Sequence, residues 1–256
     1  MTADAQLPEG WTHITFDEVD STNAEAMRRA ASGERGPIWI TARRQSKGRG
    51  RSGRAWASAD GSLAATLLFR PDSALADLPQ LSLVAGVATH DAIAAVLPAE
   101  VRPMCRLKWP NDVLIAGDKT SGILVESAIV GSEPIVAVGI GINTGAAPVL
   151  ADRFASGLAQ HGSVAGSALM STLLAAALAR WLAAWREPQS GFAAVRAAWL
   201  ERAFPVGESM TVHAGDERAA GHFAGLDAEG SLLLRDEAGT LRRFTFGDVA
   251  LSAPRV

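Results

Sequence analysis

The feature that most constrains the fold is a succession of short strand-like runs between residues 37 and 143. These runs are rich in apolar and β-branched residues, and Gly, Pro, Asn or Asp separate most of them, as is typical of strands joined by turns. Because they do not alternate strictly with helices, they favour an α+β domain with a mixed or largely antiparallel sheet. The runs are PIWITA, SLAATLLF, RLKWP, DVLIAG, SGILVES and PIVAVGIGIN.

Helical periodicity accompanies these strands. Ser21 or Thr22 is a candidate cap for the first helix, where Thr22 and Glu25 have capping-box spacing, and Gly33 ends it. The other helices show apolar residues at intervals of three and four. The predicted helices cover residues 23–32, 78–98, 166–187 and 192–204.

The composition changes after Phe204. Short alternating segments separated by Gly-containing turns follow, a pattern typical of a small β-barrel or SH3-like module. We therefore predict two domains, a larger α+β domain over residues 1–204, its sheet flanked by helices, and a β module over residues 205–256.

The overall composition indicates a soluble protein of the cytoplasm. The formal net charge is −3, so no global field draws the chain to DNA or to an anionic membrane. The single cysteine, Cys105, cannot form an internal disulfide, which favours a reducing compartment. No secretory signal is visible, and the apolar stretch 168–185 contains Ser171, Thr172 and Arg180, as expected of a packed helix rather than a membrane span.

Residues 47–54, KGRGRSGR, have the Gly-x-Gly-x-x-Gly spacing of a dinucleotide-binding loop. That interpretation requires a helix to begin inside the motif, but RAWASADG follows, which is rich in turn residues. The charge density favours a different function, because glycines expose backbone N–H groups and arginines bind phosphate or carboxylate. The sequence thus predicts an anion-binding loop followed by an apolar cover, Trp56, although a solvated basic loop is the simpler alternative.

Two further segments carry candidate site residues. Lys108 lies at the predicted end of a strand in LKWPND, where it either enters a site or simply extends to solvent. Asn111 and Asp112 follow, and an Asx turn could explain both. In VGIGIN, alternate glycines leave space for another backbone or a flat ligand, and the amide of Asn143 is expected on the same face.

Together these segments resemble a known family. DSTNAEA, RRQSKGRGRSGRAW, LKWPNDVLI, KTSGILVE and VGIGIN stand in the order and spacing of biotin protein ligases, the biotin–[acetyl-CoA-carboxylase] ligases. The resemblance covers most of residues 15–145, and the C-terminal module is similar to the family's SH3-like domain. It implies a catalytic domain like that of class II aminoacyl-tRNA synthetases. Because the resemblance begins almost at Met1, we expect the monofunctional form without an N-terminal DNA-binding domain.

The resemblance also implies an activity. Members condense biotin with ATP to biotinyl-5′-AMP, with Mg²⁺, and pass biotin to a lysine of a biotin carboxyl carrier protein of acetyl-CoA carboxylase or a related carboxylase. Cationic groups and Mg²⁺ are needed because a carboxylate must approach an anionic phosphate. No DNA or membrane partner is expected, and the sequence leaves monomer and homodimer open. It assigns no residue to Mg²⁺.

The matching positions give the expected site. Lys108, Arg49 and Arg51 are the implied catalytic residues, and Asp112 is expected to support the site. The implied biotin-binding residues are Ser21, Thr22, Asn23, Gln45, Gly48, Arg49, Gly50, Arg51, Trp56, Lys108, Gly122, Gly139 and Gly141. The implied ATP-binding residues are Arg49, Arg51, Arg54, Trp56, Lys108, Asn111 and Asn143.

Two other functions fit the sequence less well. A lipoate–protein ligase has a similar fold and also adenylates a carboxylate, but its loop differs from the Gly-Arg-Gly-Arg pattern. A nucleic-acid-binding module could use the basic residues 43–54 and the C-terminal barrel, but the acidic net charge and the lack of a helix-turn-helix disfavour it.

Overall fold

The structure is a computed structural model that describes residues 7–148 and 154–251. Within these ranges, seven strands form one sheet in the order β1-β2-β3-β7-β6-β5-β4. Strand β1 pairs with β2 in parallel, and the neighbouring strands further along the sheet pair antiparallel. The strands are β1 (Thr12–Val19), β2 (Ile38–Gln45), β3 (Leu63–Phe69), β4 (Cys105–Lys108), β5 (Asp112–Ile115), β6 (Asp118–Val130) and β7 (Glu133–Ile142). The predicted mixed sheet is therefore confirmed.

Strand β1 was not among the predicted strands. It lies at the edge of the sheet, where Thr12 pairs with Ile38 of β2, and none of its residues is fully buried. A strand without a buried run lacks the apolar pattern by which the other strands were recognised. The parallel β1–β2 pair makes the sheet mixed rather than wholly antiparallel.

Helices cover both faces of the sheet. The described helices are α1 (Thr22–Ala31), α2 (Leu81–Val96), α3 (Ser167–Trp185) and α4 (Gly191–Arg202). On β2, Ile38 and Ile40 pack with Ala26 and Ala30 of α1, whereas Trp39 points to the opposite face and joins the core beneath α2, α3 and α4. This alternation follows from the two-residue repeat of a strand.

Of the two residues predicted to cap the first helix, Ser21 and Thr22, only Ser21 does so. Ser21 is the N-cap, and its hydroxyl oxygen accepts a hydrogen bond from the backbone N–H of Ala24 at 3.4 Å. Thr22 therefore starts the helix rather than capping it, so the predicted Thr22–Glu25 capping box is wrong. Glu25 instead forms ion pairs with Arg28 and Arg29 on the helix surface.

Helix α3 is long and apolar enough to span a membrane by length and composition alone. In the fold it packs against α2 and α4, and its buried face includes Met170, Leu174 and Leu178. Ser171 accepts a hydrogen bond from the indole N–H of Trp39 at 2.9 Å in the core. The helix thus forms part of the protein interior, as the polar residues within it predicted.

In the C-terminal part, five described strands form an antiparallel sheet in the order β11-β10-β9-β8-β12. This sheet is consistent with the predicted SH3-like module. Phe223 contacts Trp199 of α4, with ring centroids 6.4 Å apart, and so joins the module to the larger core. The strands are β8 (Ser209–Ala214), β9 (Glu217–Leu226), β10 (Leu232–Arg235), β11 (Leu241–Phe244) and β12 (Asp248–Leu251). The division at residues 204 and 205 falls between α4 and β8 and stays a prediction.

Candidate active site

A cavity of about 790 Å³ lies on the face of the large sheet that α1 covers. Its wall comes from the N-terminus of α1, the loop 48–56, strands β3 to β7 and the C-terminal module. Its volume is in the range of small-ligand sites. The predicted site residues on its wall are Ser21, Thr22, Asn23, Gln45, Arg49, Gly50, Arg51, Arg54, Trp56, Lys108, Asn111, Asp112, Gly122, Gly139 and Gly141.

One end of the cavity carries short hydroxyl and amide side chains, which we call the ring pocket (Ser21, Thr22, Asn23 and Gln45). The backbone N–H of Thr22 donates to Gln45 Oε1 at 2.8 Å. Because a backbone N–H can only donate, the contacting atom of Gln45 must be its oxygen, and its Nε2 is left as a donor. The ring pocket can therefore donate hydrogen bonds from the Gln45 amide to a ligand carbonyl.

Asn23 is held from three sides in the ring pocket. Its Nδ2 donates to Leu124 O at 3.2 Å and to Glu126 Oε2 at 2.9 Å, and its Oδ1 accepts from the buried hydroxyl of Thr66 at 2.7 Å. A Cβ at Gly139 would overlap this amide oxygen. The space above Gly139 is therefore filled by the Asn23 side chain.

The indole of Trp56 fills the space above the next glycine on β7. A Cβ at Gly141 would overlap the indole, and one at Gly122 of β6 would lie 2.9 Å from it. The prediction that Gly139 and Gly141 leave space for another backbone or a flat ligand is thus wrong, because the side chains of Asn23 and Trp56 occupy that space. Trp56 instead forms a floor of the cavity, and its buried Nε1 finds no hydrogen-bond partner among the described residues.

Two lysines share one buried carboxylate beside this floor. Asp112 forms ion pairs with Lys108 at 3.1 Å and with Lys119 at 2.5 Å. Burial alone would raise the pKa of the Asp112 carboxyl, but the adjacent ammonium groups outweigh it and hold this pKa below its ordinary value. Lys108 Nζ also donates to Val249 O of the C-terminal module at 2.9 Å. The lysine therefore belongs to the site and does not extend to solvent.

Asn111 and Asp112 do more than form a turn. Asn111 accepts a hydrogen bond from Arg51 Nη1 at 3.0 Å through Oδ1 and donates to Ile123 O through Nδ2 at 2.8 Å. An Asx turn would engage only the neighbouring backbone. The Asn111 amide thus links the loop 48–56 to strand β6.

Three arginines of the loop 48–56 lie on the cavity wall, and we call them the cationic mouth (Arg49, Arg51 and Arg54). Arg54 Nη2 contacts both carboxylate oxygens of Asp248 at 2.8 Å, and Arg51 lies 3.7 Å from the same carboxylate. Arg49 pairs with Glu126 at 2.9 Å. Burial lowers the pKa of Arg51, and the charges of Asp248 and Asp112 partly offset this effect. A cavity with a neutral polar end and a cationic mouth suits a ligand with a polar head and an anionic tail.

Two predicted residues lie outside the cavity wall. Asn143 follows the last residue of β7, where strand alternation no longer controls side-chain direction, and its Nδ2 donates to Ser156 O at 3.2 Å. The prediction that its amide faces the space at the glycines is wrong. Gly48 packs under the Trp56 carbonyl, where a Cβ would overlap it. Its role is to admit the returning loop, whose Trp56 N–H donates to Gly48 O at 3.0 Å.

The residues of the site that were not predicted include Lys119, Glu126 and Asp248. Lys119 lines the cavity, with its Nζ 5.7 Å from the ring centroid of Trp56, and it is the first residue of the segment KTSGILVE. Glu126 is the last residue of the same segment. Because this segment is part of the resemblance to the family, Glu126 could have been identified from it. Asp248 comes from the C-terminal module, and no local pattern indicates its proximity to the arginines.

No protein metal site is apparent in residues 7–148 and 154–251, where no three His, Cys, Asp or Glu side chains are grouped to hold an ion. Mg²⁺ commonly keeps several waters and binds through substrate phosphates with one or two carboxylates. Asp112 and Asp248 are carboxylates on the cavity wall. The donor set therefore fits a Mg²⁺ ion carried by a nucleotide better than a protein-built site.

Comparison with known proteins gives a consistent result. The Biotin/lipoate A/B protein ligase family matches residues 13–143, and the Biotin protein ligase C terminal domain matches residues 207–252. The two matches correspond to the sheet that carries the cavity and to the C-terminal module.

Individual relatives agree with these matches. A biotin–[acetyl-CoA-carboxylase] ligase of Paracoccus denitrificans is 42% identical over 229 residues, which are 86% of this chain and 93% of that protein. The bifunctional ligase/repressor BirA of Bacillus subtilis is 31% identical over 93% of this chain and 73% of its own length. A biotin protein ligase from Aquifex aeolicus, solved in complex with biotin and ATP, superposes with a TM-score of 0.79 at 27% identity and covers 94% of this chain and 99% of that one. The chain therefore belongs to the biotin protein ligase family.

Proposed function

We propose that the chain condenses biotin with ATP to give biotinyl-5′-AMP and pyrophosphate, and then transfers biotin to a lysine of a carrier protein. The observation that carries this proposal is that one cavity contains both a neutral ring pocket and a cationic mouth. Biotin has the same polarity, with a ureido ring at one end and a carboxylate at the other.

The ring pocket supplies partners for the ureido group. That group has one carbonyl acceptor and two N–H donors. Gln45 Nε2 is available to donate to the carbonyl, since Gln45 Oε1 is held by Thr22. The hydroxyl oxygens of Ser21 and Thr22 lie on the same wall and can accept from ureido N–H groups. Trp56 provides an apolar surface for the bicyclic ring and the valeryl chain.

The cationic mouth supplies the charge for the first step. A biotin carboxylate oxygen attacks the α-phosphorus of ATP, the bond to the β-phosphate oxygen breaks, and pyrophosphate leaves. Both reactants are anions, so the ammonium groups of Lys108 and Lys119 offset their repulsion and stabilise the developing charge. Arg49, Arg51 and Arg54 are assigned to the carboxylate and the phosphates, which they can bind with paired N–H groups.

Lys119 is a second candidate for the carboxylate-binding role implied for Lys108. Lys108 is fixed between Asp112 and the Val249 carbonyl, whereas Lys119 lies against Trp56 and Gly122 on the floor of the cavity. We assign Lys119 to the carboxylate of biotin and Lys108 to the acyl-phosphate. Asp112 holds both ammonium groups in place.

Magnesium fits this scheme as the ATP complex. When bound, Mg²⁺ offsets phosphate charge and orients the leaving pyrophosphate. Asp112, Glu208 and Asp248 are the candidates for a carboxylate ligand among the described wall residues. The remaining ligands would be phosphate oxygens and water.

The second step requires an amine from outside the chain. The lysine Nζ of the carrier attacks the acyl carbon of biotinyl-AMP, an amide bond forms, AMP leaves with the electron pair of the C–O bond, and the amine loses its proton. The Paracoccus relative is named for acetyl-CoA carboxylase, so a biotin carboxyl carrier protein of such a carboxylase is the proposed partner. We propose a cytoplasmic location, no DNA partner, and Mg²⁺-dependent activity.

The proposal is tested by incubating the protein with biotin, ATP and Mg²⁺ and analysing the products by mass spectrometry. Biotinyl-AMP and pyrophosphate are expected, and addition of a carrier protein should convert the adenylate to a biotinylated lysine. A parallel incubation with lipoate should give far less adenylate. Formation of lipoyl-AMP alone, or of neither adenylate, would refute the biotin ligase function.

A further inference from the structure

Glu126 lies just beyond the cavity wall and contacts two parts of the site at once. Its Oε2 accepts a hydrogen bond from Asn23 Nδ2 at 2.9 Å, and its Oε1 pairs with Arg49 Nη2 at 2.9 Å. We propose that Glu126 is a positioning residue that couples ligand binding in the ring pocket to closure of the loop 48–56. The inference rests on the proposed function, because it concerns how biotin orders the loop.

The hydrogen bond between Asn23 and Glu126 can have only one direction, from the amide N–H to the carboxylate. Asn23 Nδ2 also donates to Leu124 O, and neither a carbonyl nor a carboxylate can donate in return. The amide is therefore oriented with both N–H groups toward β6, while Oδ1 accepts from Thr66. Asn23 is 3% exposed, so loss of the Glu126 contact would leave a buried donor without this partner.

The contact with Arg49 is made from the loop side. Arg49 follows Gly48, and its backbone pairs with Ala55 across the loop. The Arg49 side chain is 52% exposed and that of Glu126 only 23%, so the carboxylate is the more buried partner and the guanidinium the more accessible one. Release of this ion pair would free the loop from strand β6 at this point.

One carboxylate thus joins a buried residue of the ring pocket to an exposed residue of the loop. A ligand in the ring pocket contacts Ser21 and Thr22, which precede Asn23 on the cavity wall, and Asn23 is the donor that holds Glu126. The carboxylate is then held in the position that Arg49 requires. Because coupling between two events is reciprocal, a closed loop also favours an ordered ring pocket.

The variant Glu126→Gln tests this coupling with little change in shape. A glutamine has one acceptor oxygen, so its NH₂ group must face a donor of either Asn23 or Arg49, and one contact is lost. Glu133→Gln is the matched control, because Glu133 also holds two side chains, those of Arg35 and Arg70, and is similarly exposed at 28%. It lies on the neighbouring strand β7 and makes no contact with the loop.

The readout is trypsin cleavage in the loop, followed by mass spectrometry of the peptides cut after Arg49, Arg51 and Arg54. In the native chain and in Glu133→Gln, saturating biotin should slow cleavage at these sites. In Glu126→Gln the protection should be about fivefold weaker, as expected for the loss of a partly exposed charged pair. The KM for biotin should rise by a similar factor, with the KM for ATP changing less than about twofold.

Equal protection in Glu126→Gln and the native chain, or no protection of the native loop by biotin, would overturn the coupling. If Glu126→Gln fails to fold, trypsin will cleave it throughout the chain. In that case Arg49→Gln is the test variant, because it removes the same ion pair from its more exposed side. Retained protection at Arg51 and Arg54 in that variant would reject the proposal. A native chain that forms no biotinyl-AMP would instead refute the proposed function, independently of these results.

Discussion

The indole of Trp56 lies against the Cα of Gly141, in the space that a Cβ at this position would occupy. Trp56 is at the end of the loop 48–56, and Gly141 is in the central strand β7. Their contact therefore sets the distance between the loop and the sheet. Lys119 lies over the same indole, with Nζ 5.7 Å from the ring centroid. The position of the cavity floor and that of Lys119 therefore depend on residue 141 being a glycine, which has no side chain.

We expect Gly141→Ala to displace Trp56 and lower kcat/KM for biotin about tenfold. Overpacking of this kind commonly costs about 1–3 kcal/mol, and about 1.4 kcal/mol corresponds to a factor of ten. Gly166→Ala is the control, since a Cβ there meets nothing within 4 Å. Adenylate formation is measured with varied biotin, and an unaltered kcat/KM in Gly141→Ala would contradict the importance of the contact.

The two lysines lead to a second prediction. Lys108→Ala and Lys119→Ala should each lower the rate of biotinyl-AMP formation by about 10²–10³, the usual effect of removing a group that stabilises developing charge. Pyrophosphate release that depends on biotin measures this rate. Lys47→Ala serves as control, because Lys47 is exposed and lies outside the cavity wall. Near-normal rates in Lys119→Ala would show that Lys108 acts alone.

The sequence predicted the sheet and much of the cavity wall because both depend on local patterns. Apolar runs and turn residues located strands β2 to β7 within a few residues, and the motifs around Lys108 and the arginine loop all reach one cavity. The roles of these residues stay predictions. The local sequence patterns identify which residues lie on the cavity wall.

The residues that the patterns missed depend on contacts between distant segments. Asp248 is 194 positions from Arg54 in the chain, and neither segment indicates the other. The prediction for the direction of the Asn143 amide was wrong for a different reason. The two-residue repeat that orients Gly139 and Gly141 applies only within a strand, and β7 ends at Ile142. Similarly, Gly139 and Gly141 predict space above the strand, but the sequence around them does not indicate which side chains occupy it.

A third prediction concerns the apolar helix α3. Ser171→Ala should lower the free energy of unfolding by about 1–3 kcal/mol, because it leaves the buried indole N–H of Trp39 without its acceptor. Thr172→Ala is the control, since the Thr172 hydroxyl bonds only to the carbonyl of Ala168 in its own helix. Its effect should stay within about 0.5 kcal/mol. Urea unfolding followed by tryptophan fluorescence measures both, and equal stabilities would argue against the packing of α3 on β2.

The buried carboxylate of Asp112 gives the last prediction. Asp112→Asn leaves the ammonium groups of Lys108 and Lys119 without their shared counter-ion, so the free energy of unfolding should fall by about 3–5 kcal/mol near neutral pH. Asp20→Asn, which loses only a partly exposed pair with Arg28, should cost no more than about 1 kcal/mol. The pKa of Asp112 is lowered in the folded chain, so its stabilisation is complete above the ordinary value of 3.8 and is lost as the pH falls through the folded value. The difference in unfolding free energy between the native chain and Asp112→Asn should therefore be constant near neutral pH and shrink in acid below 3.8. A difference that grows on acidification would mean that the carboxyl is protonated more readily in the folded chain, which the two flanking ammonium groups oppose.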